Sequence, residues 1–451
     1  MRSQYRLPPN FALVLLLAPG LASAGHSVRP QLDTEVRAAT ARVSSERLHD
    51  TVAKLVSFGT RNTFSEALGP KRGVFAARDW IAAQLREIAA RSGGRMTVSL
   101  DGYVQQPDGK RIARAVEISS VVAELKGDEP GGRTYVISSH YDSRNSSNED
   151  TMVDAPGADD NASGTAVVLE AARLLAKTPT HANIIFAIYD SEEQGLLGSG
   201  HHAQSLKTAG RDVQGDLNND IVGASRGDHG EVNANFVRIF SESLPLGSDP
   251  RRVNLLGNEN DSPSRELARY AKEVGDTYGT GFSGALIFRA DRFLRGGDHE
   301  SFNAVGFPAI RFVEPVETFA HQHQNPRVEN GIQYGDFINF MDFQYLAKVA
   351  RYNIAVIANL ARGPGLPQHA SILTKELTND TSLSWAPVAG AVSYEVVRRL
   401  TTESVWTHSQ SVGNVTQVTL PFSKDNWLFG IRALDAQGHR GVPASPSPKS
   451  N

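Results

Sequence analysis

The sequence predicts an α/β protein, a mostly parallel mixed sheet flanked by helices, followed by a small C-terminal all-β sandwich. Three observations carry this. Between about residues 134 and 313, apolar strand-length runs alternate with helix-length amphipathic runs, the pattern of βα units. Several of the apolar runs are continuous, as in strands buried on both faces. After about residue 369 only short alternating runs remain, at the spacing of a sandwich.

Taken in order, RLHDTVAKLVSF and KRGVFAARDWIAAQLREIAARSG repeat apolar residues at helical spacing and end at breaks, which predicts two packing helices. MTVSLDGYV, ISSVVAELKG and TYVISSHYDS predict strands, the third a buried one that stops abruptly in polar residues. Helix SGTAVVLEAARLLAKT, strand NIIFAIYD, a helix around GLLGSGHHAQSLK, and strands DVQGDLNNDIV and FPAIRFV follow. FINFMDFQYLAKVARYNIAVIANLAR predicts a long closing helix, and the helix-breaking GPGLPQ at 363–368 a linker. Residues 25–362 then form the first domain and 369–451 the second. In the latter the placement of Trp385, Tyr394 and IRALDAQGHRG resembles a fibronectin type III domain.

The first 24 residues have a different character. Arg2 and Arg6 precede the apolar run FALVLLLAPGLA, and Ala22-Ser23-Ala24 offers small residues for cleavage, the layout of a secretory signal peptide. An exported chain, periplasmic or extracellular, is expected, without stable membrane insertion once the signal is removed. The charge balance, 46 Lys+Arg against 49 Asp+Glu, provides no broad basic field, so nucleic acid is not an expected partner. With no Cys in 451 residues, thiol catalysis and thiolate metal sites are excluded, and any metal must be held by N and O ligands.

Such ligands occur at the predicted strand ends: HYDS at 140–143, PGADDNASG at 156–164, YDSEEQGLLGS at 189–199, LNNDIVG at 217–223 and HQHQNP at 321–326. A single His or acidic pair in a loop is ordinary surface chemistry. Five such segments at the ligand-binding ends of one sheet are not. With sulfur absent, zinc held by His and carboxylate is the common catalytic solution, and two zincs require a shared ligand. Asp160, in a Gly-bounded loop before a helix, suits the bridge. His140 and Asp220 then complete one site, and Glu193 and His323 the other. Asp142 is placed to accept from the His140 nitrogen that faces away from metal. Adjacent residues diverge, so Glu193 ligates while Glu192 serves as general base toward the attacking water.

In this order and spacing the segments resemble the co-catalytic two-zinc exopeptidase family, which takes in secreted bacterial aminopeptidases, glutamate carboxypeptidase-like enzymes and, more distantly, glutaminyl cyclases. The likeness covers about residues 45 to 360 and is carried by an HxD segment, GADDNASG, an EE pair before GLLGS, an aspartate segment and a late His. It implies Asp160 rather than Asp159 as bridge. It also implies Glu192 and Glu193 as base and ligand, and His323 rather than His321, whose spacing to Pro326 fits the relatives less well. By the same likeness GGDHESFNAVGFPAI makes Asp298 a residue behind the ligands or in the pocket, with capping of the ESF helix as its competing role. His201, His202, His229 and His299 are read as surface or loop residues.

The expected activity is hydrolysis at the amino end of a peptide substrate, with two zinc ions per chain. Two other readings stand beside it. A carboxypeptidase of the same family would need an Arg-lined pocket, for which Arg292, Arg295 and Arg311 are candidates. A non-catalytic binding protein on this scaffold should have lost a ligand or the base, and none is lost. The C-terminal domain is read as an adhesion or spacing module able to contact a surface polymer.

Overall fold

The computed structural model describes residues 32–129 and 131–449, so the signal-peptide reading of residues 1–24 lies outside the described residues. Helices α1 (Thr34–Ala41), α2 (Ser45–Val56) and α3 (Val74–Ala89) lead into strands β1 (Met96–Gln105), β2 (Val116–Leu125) and β3 (Thr134–His140). Then come α4 (Gly164–Leu175), β4 (Asn183–Tyr189), α5 (Leu197–Thr208), β5 (Val213–Asn219), β6 (Phe236–Ser241), α6 (Pro250–Leu256) and α7 (Pro263–Tyr278). The first unit ends with β7 (Ser283–Ile287), α8 (His299–Ala304), β8 (Ala309–Val313), a short hairpin of β9 (Arg327–Glu329) and β10 (Ile332–Tyr334), and α9 (Phe343–Arg362).

Eight strands form one sheet in the order β1-β2-β4-β3-β5-β8-β6-β7. Its centre, β4-β3-β5-β8, is parallel throughout, whereas the β1-β2 and β2-β4 pairs and the β8-β6 junction are antiparallel. Sequence explains the division. Central β3 and β4 are buried along their whole length, β4 being apolar on both faces, while edge strand β1 alternates. Side-chain alternation splits β4 between two cores. Ile184, Phe186 and Ile188 pack in the larger one, under the helices that include α4 and α9, whereas Ile185, Ala187 and Tyr189 pack in the smaller one with Ala203 of α5 and Phe302 of α8. No helix among the described residues is long and apolar enough to cross a membrane.

The closing helix is shorter than its sequence pattern suggests. The apolar pattern starts at Phe337, but Asp342 adopts an extended backbone and its carboxylate accepts from the backbone N–H groups of Gln344 and Tyr345, so residue 343 is where the helix can start. Beyond the GPGLPQ segment, a four-stranded and a three-stranded sheet enclose a core that includes Leu383, Trp385, Tyr394, Phe429 and Ile431. This unit is tied to α7 and the turn before it: Arg432 pairs with Glu273 at 2.8 Å, the Trp406 indole N–H donates to Glu266 at 2.8 Å, and Arg399 pairs with Asp261 of the turn.

Candidate metal centre

Parallel strands deliver their carboxyl ends to one edge of the sheet, and there the loops gather. His140 is the last residue of β3. Glu192 and Glu193 follow β4, and Asp220 follows β5. Asp160 comes from the irregular turn Ala158–Ser163 that precedes α4, and His323 from the loop between β8 and β9. The turn depends on close approaches. Gly157 has φ +54, and a Cβ there would meet the Asp160 carbonyl at 2.6 Å. At Gly164 a Cβ would lie 2.1 Å from the Asn219 carbonyl, so only glycine lets α4 begin this near the end of β5.

These residues fall into two trios of mutually close ligand atoms, His140 with Glu192 and Asp220, and Asp160 with Glu193 and His323. The Asp160 carboxylate faces both. Its Oδ1 lies 3.3 Å from His140 Nε2, and its Oδ2 lies 2.9 Å from His323 Nε2. His140 Nε2 is also 3.4 Å from Asp220 Oδ1, and His323 Nε2 is 3.0 Å from Glu193 Oε1. Two ligands each about 2.0–2.1 Å from a tetrahedral zinc stand about 3.3 Å apart, so the spacing around His140 is that of atoms awaiting a shared ion. The hydrogen bonding agrees. His140 Nε2, Glu193 Oε1 and Asp220 Oδ1 are buried and without a hydrogen-bond partner, which is costly unless a cation satisfies them.

The surroundings hold these groups in place. The Asp142 carboxylate lies 3.3 Å from His140 Nδ1 and accepts from the backbone N–H groups of Glu192 at 3.1 Å and Glu193 at 3.2 Å, so one side chain positions His140 and the segment that carries Glu192 and Glu193. Asp159, the first acid of the DD pair, turns away. Its Oδ1 accepts from the Gly223 N–H at 2.7 Å, and burial pushes its carboxyl up to about 6. Burial holds Glu192 well above the usual carboxylate range, His140 opposing and Asp220, Glu193 and Asp298 adding to it. Asp298 is pushed up to about 7, chiefly by burial. It occupies the position before α8 but makes no capping bond, so the cap role does not apply and its charge bears on the centre instead.

His321 is not among the trios. Its ring stacks on Phe340 with centroids 3.7 Å apart, whereas His323 reaches both Asp160 and Glu193. Two histidine readings change. His202, read as surface, is buried with its Nδ1 3.0 Å from the Tyr189 hydroxyl, and His299, read as a loop residue, begins α8 fully buried. His299 groups with Asp291 and Glu300, but Arg311 and Arg292 already pair with Asp291, at 2.7 and 3.1 Å, and a cation there would face two guanidinium groups. Four further residues belong to the centre. Arg61, fully buried, donates to the carbonyls of Tyr141, Pro156 and Gly157, joining the HYD loop to the loop that carries Asp160. Asp336 accepts from the N–H groups of Asp159 and Asp160. Arg311 pairs with Asp220 Oδ2 at 2.8 Å, and Arg144 with Glu193 Oε2 at 2.9 Å. Only Arg311 carried a sequence signal, a charge inside the apolar strand FPAIRFV.

Comparison with known proteins agrees with this chemistry. Residues 120–343 match the model of Peptidase family M28. A probable zinc metalloprotease of Leptosphaeria maculans is 46% identical over 427 residues, covering 93% of this chain and 99% of that protein. One from Pyricularia oryzae is 44% identical over 442 residues, covering 95% of this chain and 88% of its own length. Among solved structures, the LapA aminopeptidase of Legionella pneumophila superposes with a TM-score of 0.51 at 20% identity over 74% of this chain and 76% of LapA, a likeness of fold.

Proposed function

The chain belongs to peptidase family M28 and is a zinc metallopeptidase, and on that premise we propose that it is an exported aminopeptidase with two zinc ions per chain, residues 25–362 forming the catalytic unit. His140, Asp220 and Asp160 would hold one ion, and Glu193, His323 and Asp160 the other. When bound, the ions supply Lewis-acid activation of water and of the scissile carbonyl.

The rest is done by side chains. Glu192, close to His140 and Asp220, takes the proton of the attacking water and passes it to the leaving amine nitrogen. Asp142 fixes the backbone from which Glu192 projects, so the base stays aimed as its charge changes.

The amino-end reading is carried by the state of the arginines. Arg292 and Arg295 both engage Glu317 at 3.1 Å, Arg292 and Arg311 engage Asp291, and Arg311 engages Asp220. A substrate carboxylate would have to displace an existing acid from each. Both carboxyl oxygens of Asp298 are buried and without a hydrogen-bond partner among the described residues, and a free ammonium group complements them.

The test is a panel of aminoacyl peptides, their N-acetylated counterparts and peptides scored for release of the C-terminal residue. Cleavage confined to free amino ends is expected. Equal rates on blocked and free peptides would end the aminopeptidase claim.

A further inference from the structure

The two halves of the centre treat their histidines in opposite ways. At His140, Nδ1 faces acceptors, the Asp142 carboxylate at 3.3 Å and the Asp142 carbonyl at 3.2 Å. An acceptor there places the ring proton on Nδ1 and leaves the Nε2 lone pair directed at Asp160 and Asp220, the arrangement a metal needs. At His323, Nδ1 faces a donor. Arg144 Nη2 lies 2.7 Å from it, and a guanidinium has no acceptor atom. The ring proton must then sit on Nε2, facing Asp160 Oδ2 at 2.9 Å, while Glu193 Oε1 stands 3.0 Å away without a hydrogen bond of its own. That proton occupies the position a cation would take.

The same guanidinium binds the second ligand. Its Nε pairs with Glu193 Oε2 at 2.9 Å, and Nη1 donates to Asn148 Oδ1 at 2.9 Å, so three of its edges are held and the fork is fixed across the His323–Glu193 pair. Arg311, the matching arginine on the other half, contacts only the Asp220 oxygen that points away from His140 and has Asp291 as its own counter-ion. It reaches no imidazole nitrogen.

We propose that Arg144 is a latch that makes the two metal positions unequal: the His140–Asp220 position is ready for an ion, whereas the Glu193–His323 position accepts one only after Arg144 releases His323 Nδ1. On release the ring proton moves from Nε2 to Nδ1, and Nε2 presents its lone pair. Arg144 is thus a positioning residue, acting through His323. The inference rests on the paired-zinc reading above.

Stepwise removal of zinc from the loaded full-length chain by a competing chelator tests it, read as zinc retained per chain in wild type, Arg144→Met and His323→Ala. Wild type should release two ions at separate chelator concentrations, and H323A should lack the more weakly held one. In R144M the weaker ion should tighten by about tenfold, the scale of partner effects on metal ligands, with the tighter ion little changed. If R144M weakens the second ion or leaves it unchanged, Arg144 supports Glu193 or is idle, and the latch is overturned. If wild type and R144M both hold a single ion, the paired centre falls with it. A measurement without substitution covers a misfolded variant. Imidazole ¹H–¹⁵N spectra of the chelator-treated chain should show Nε2–H on His323 and Nδ1–H on His140, and Nδ1–H on His323 overturns the proposal.

Discussion

At the scale of single residues, function divides between groups that meet substrate or metal and groups that aim them. Glu192→Gln keeps size and loses the proton acceptor. Zinc content should stay at the wild-type value while kcat falls by about 10²- to 10⁴-fold, measured as metal analysis and steady-state rate on one preparation. Asp142→Ala removes the partner of His140 and of two backbone N–H groups, and metal affinity by chelator competition should drop about 10- to 100-fold. The residues proposed as ligands and base were legible in the sequence because most of them sit within a few residues of a strand end or helix start, where local pattern places them. Arg61, Asp336 and Arg144 were not legible, since the fold and not the local segment brings their partners to them: Arg61 meets Tyr141 across 80 residues, Arg144 meets His323 across 179 and Asp336 meets Asp160 across 176.

At the scale of elements, the central strands set the centre and the segments that leave them carry the cost. Asp190, just past β4, is buried, accepts from Thr63 Oγ1 and the Ser119 N–H, and is pushed up to about 8, chiefly by burial with Asp142 adding to it. A carboxyl raised in the folded state binds its proton more tightly folded than unfolded, so its stabilising contribution is complete below about pH 4 and is lost as pH rises toward 8. Thermal melts should show wild type losing ground against Asp190→Asn between pH 5 and 8.5, expected about where the two pKa values bracket the change. Parallel melting curves across that range would refute the assignment. Continuous apolar runs made β3, β4 and β8 readable. Strands β6 and β7 and helix α7 were not, because α7 carries Arg265, Glu266 and Arg269 on a buried face, and charges read as solvent until their partners are known.

For the whole molecule, the C-terminal sheets supply those partners. Glu266 is buried, and burial pushes it up to about 7; it accepts from the Trp406 indole, and Arg269 donates to the Ser404 carbonyl at 2.8 Å. Trp406→Phe leaves that acceptor short of a donor and should cost about 1–3 kcal/mol in urea unfolding. The alternation of strand and helix, and the change of style after residue 369, made this architecture readable from sequence; the ion pairs of the C-terminal sheets with α7 and the turn before it were not, because both partners look like ordinary surface charges. In the proposed centre one carboxylate, Asp160, faces both metal positions. Zinc counted per chain in the purified full-length protein and in Asp160→Asn tests this most directly. Wild type should hold about two ions, and D160N should lose zinc at both positions, since both share that ligand. One ion in wild type, or two retained in D160N, would contradict it.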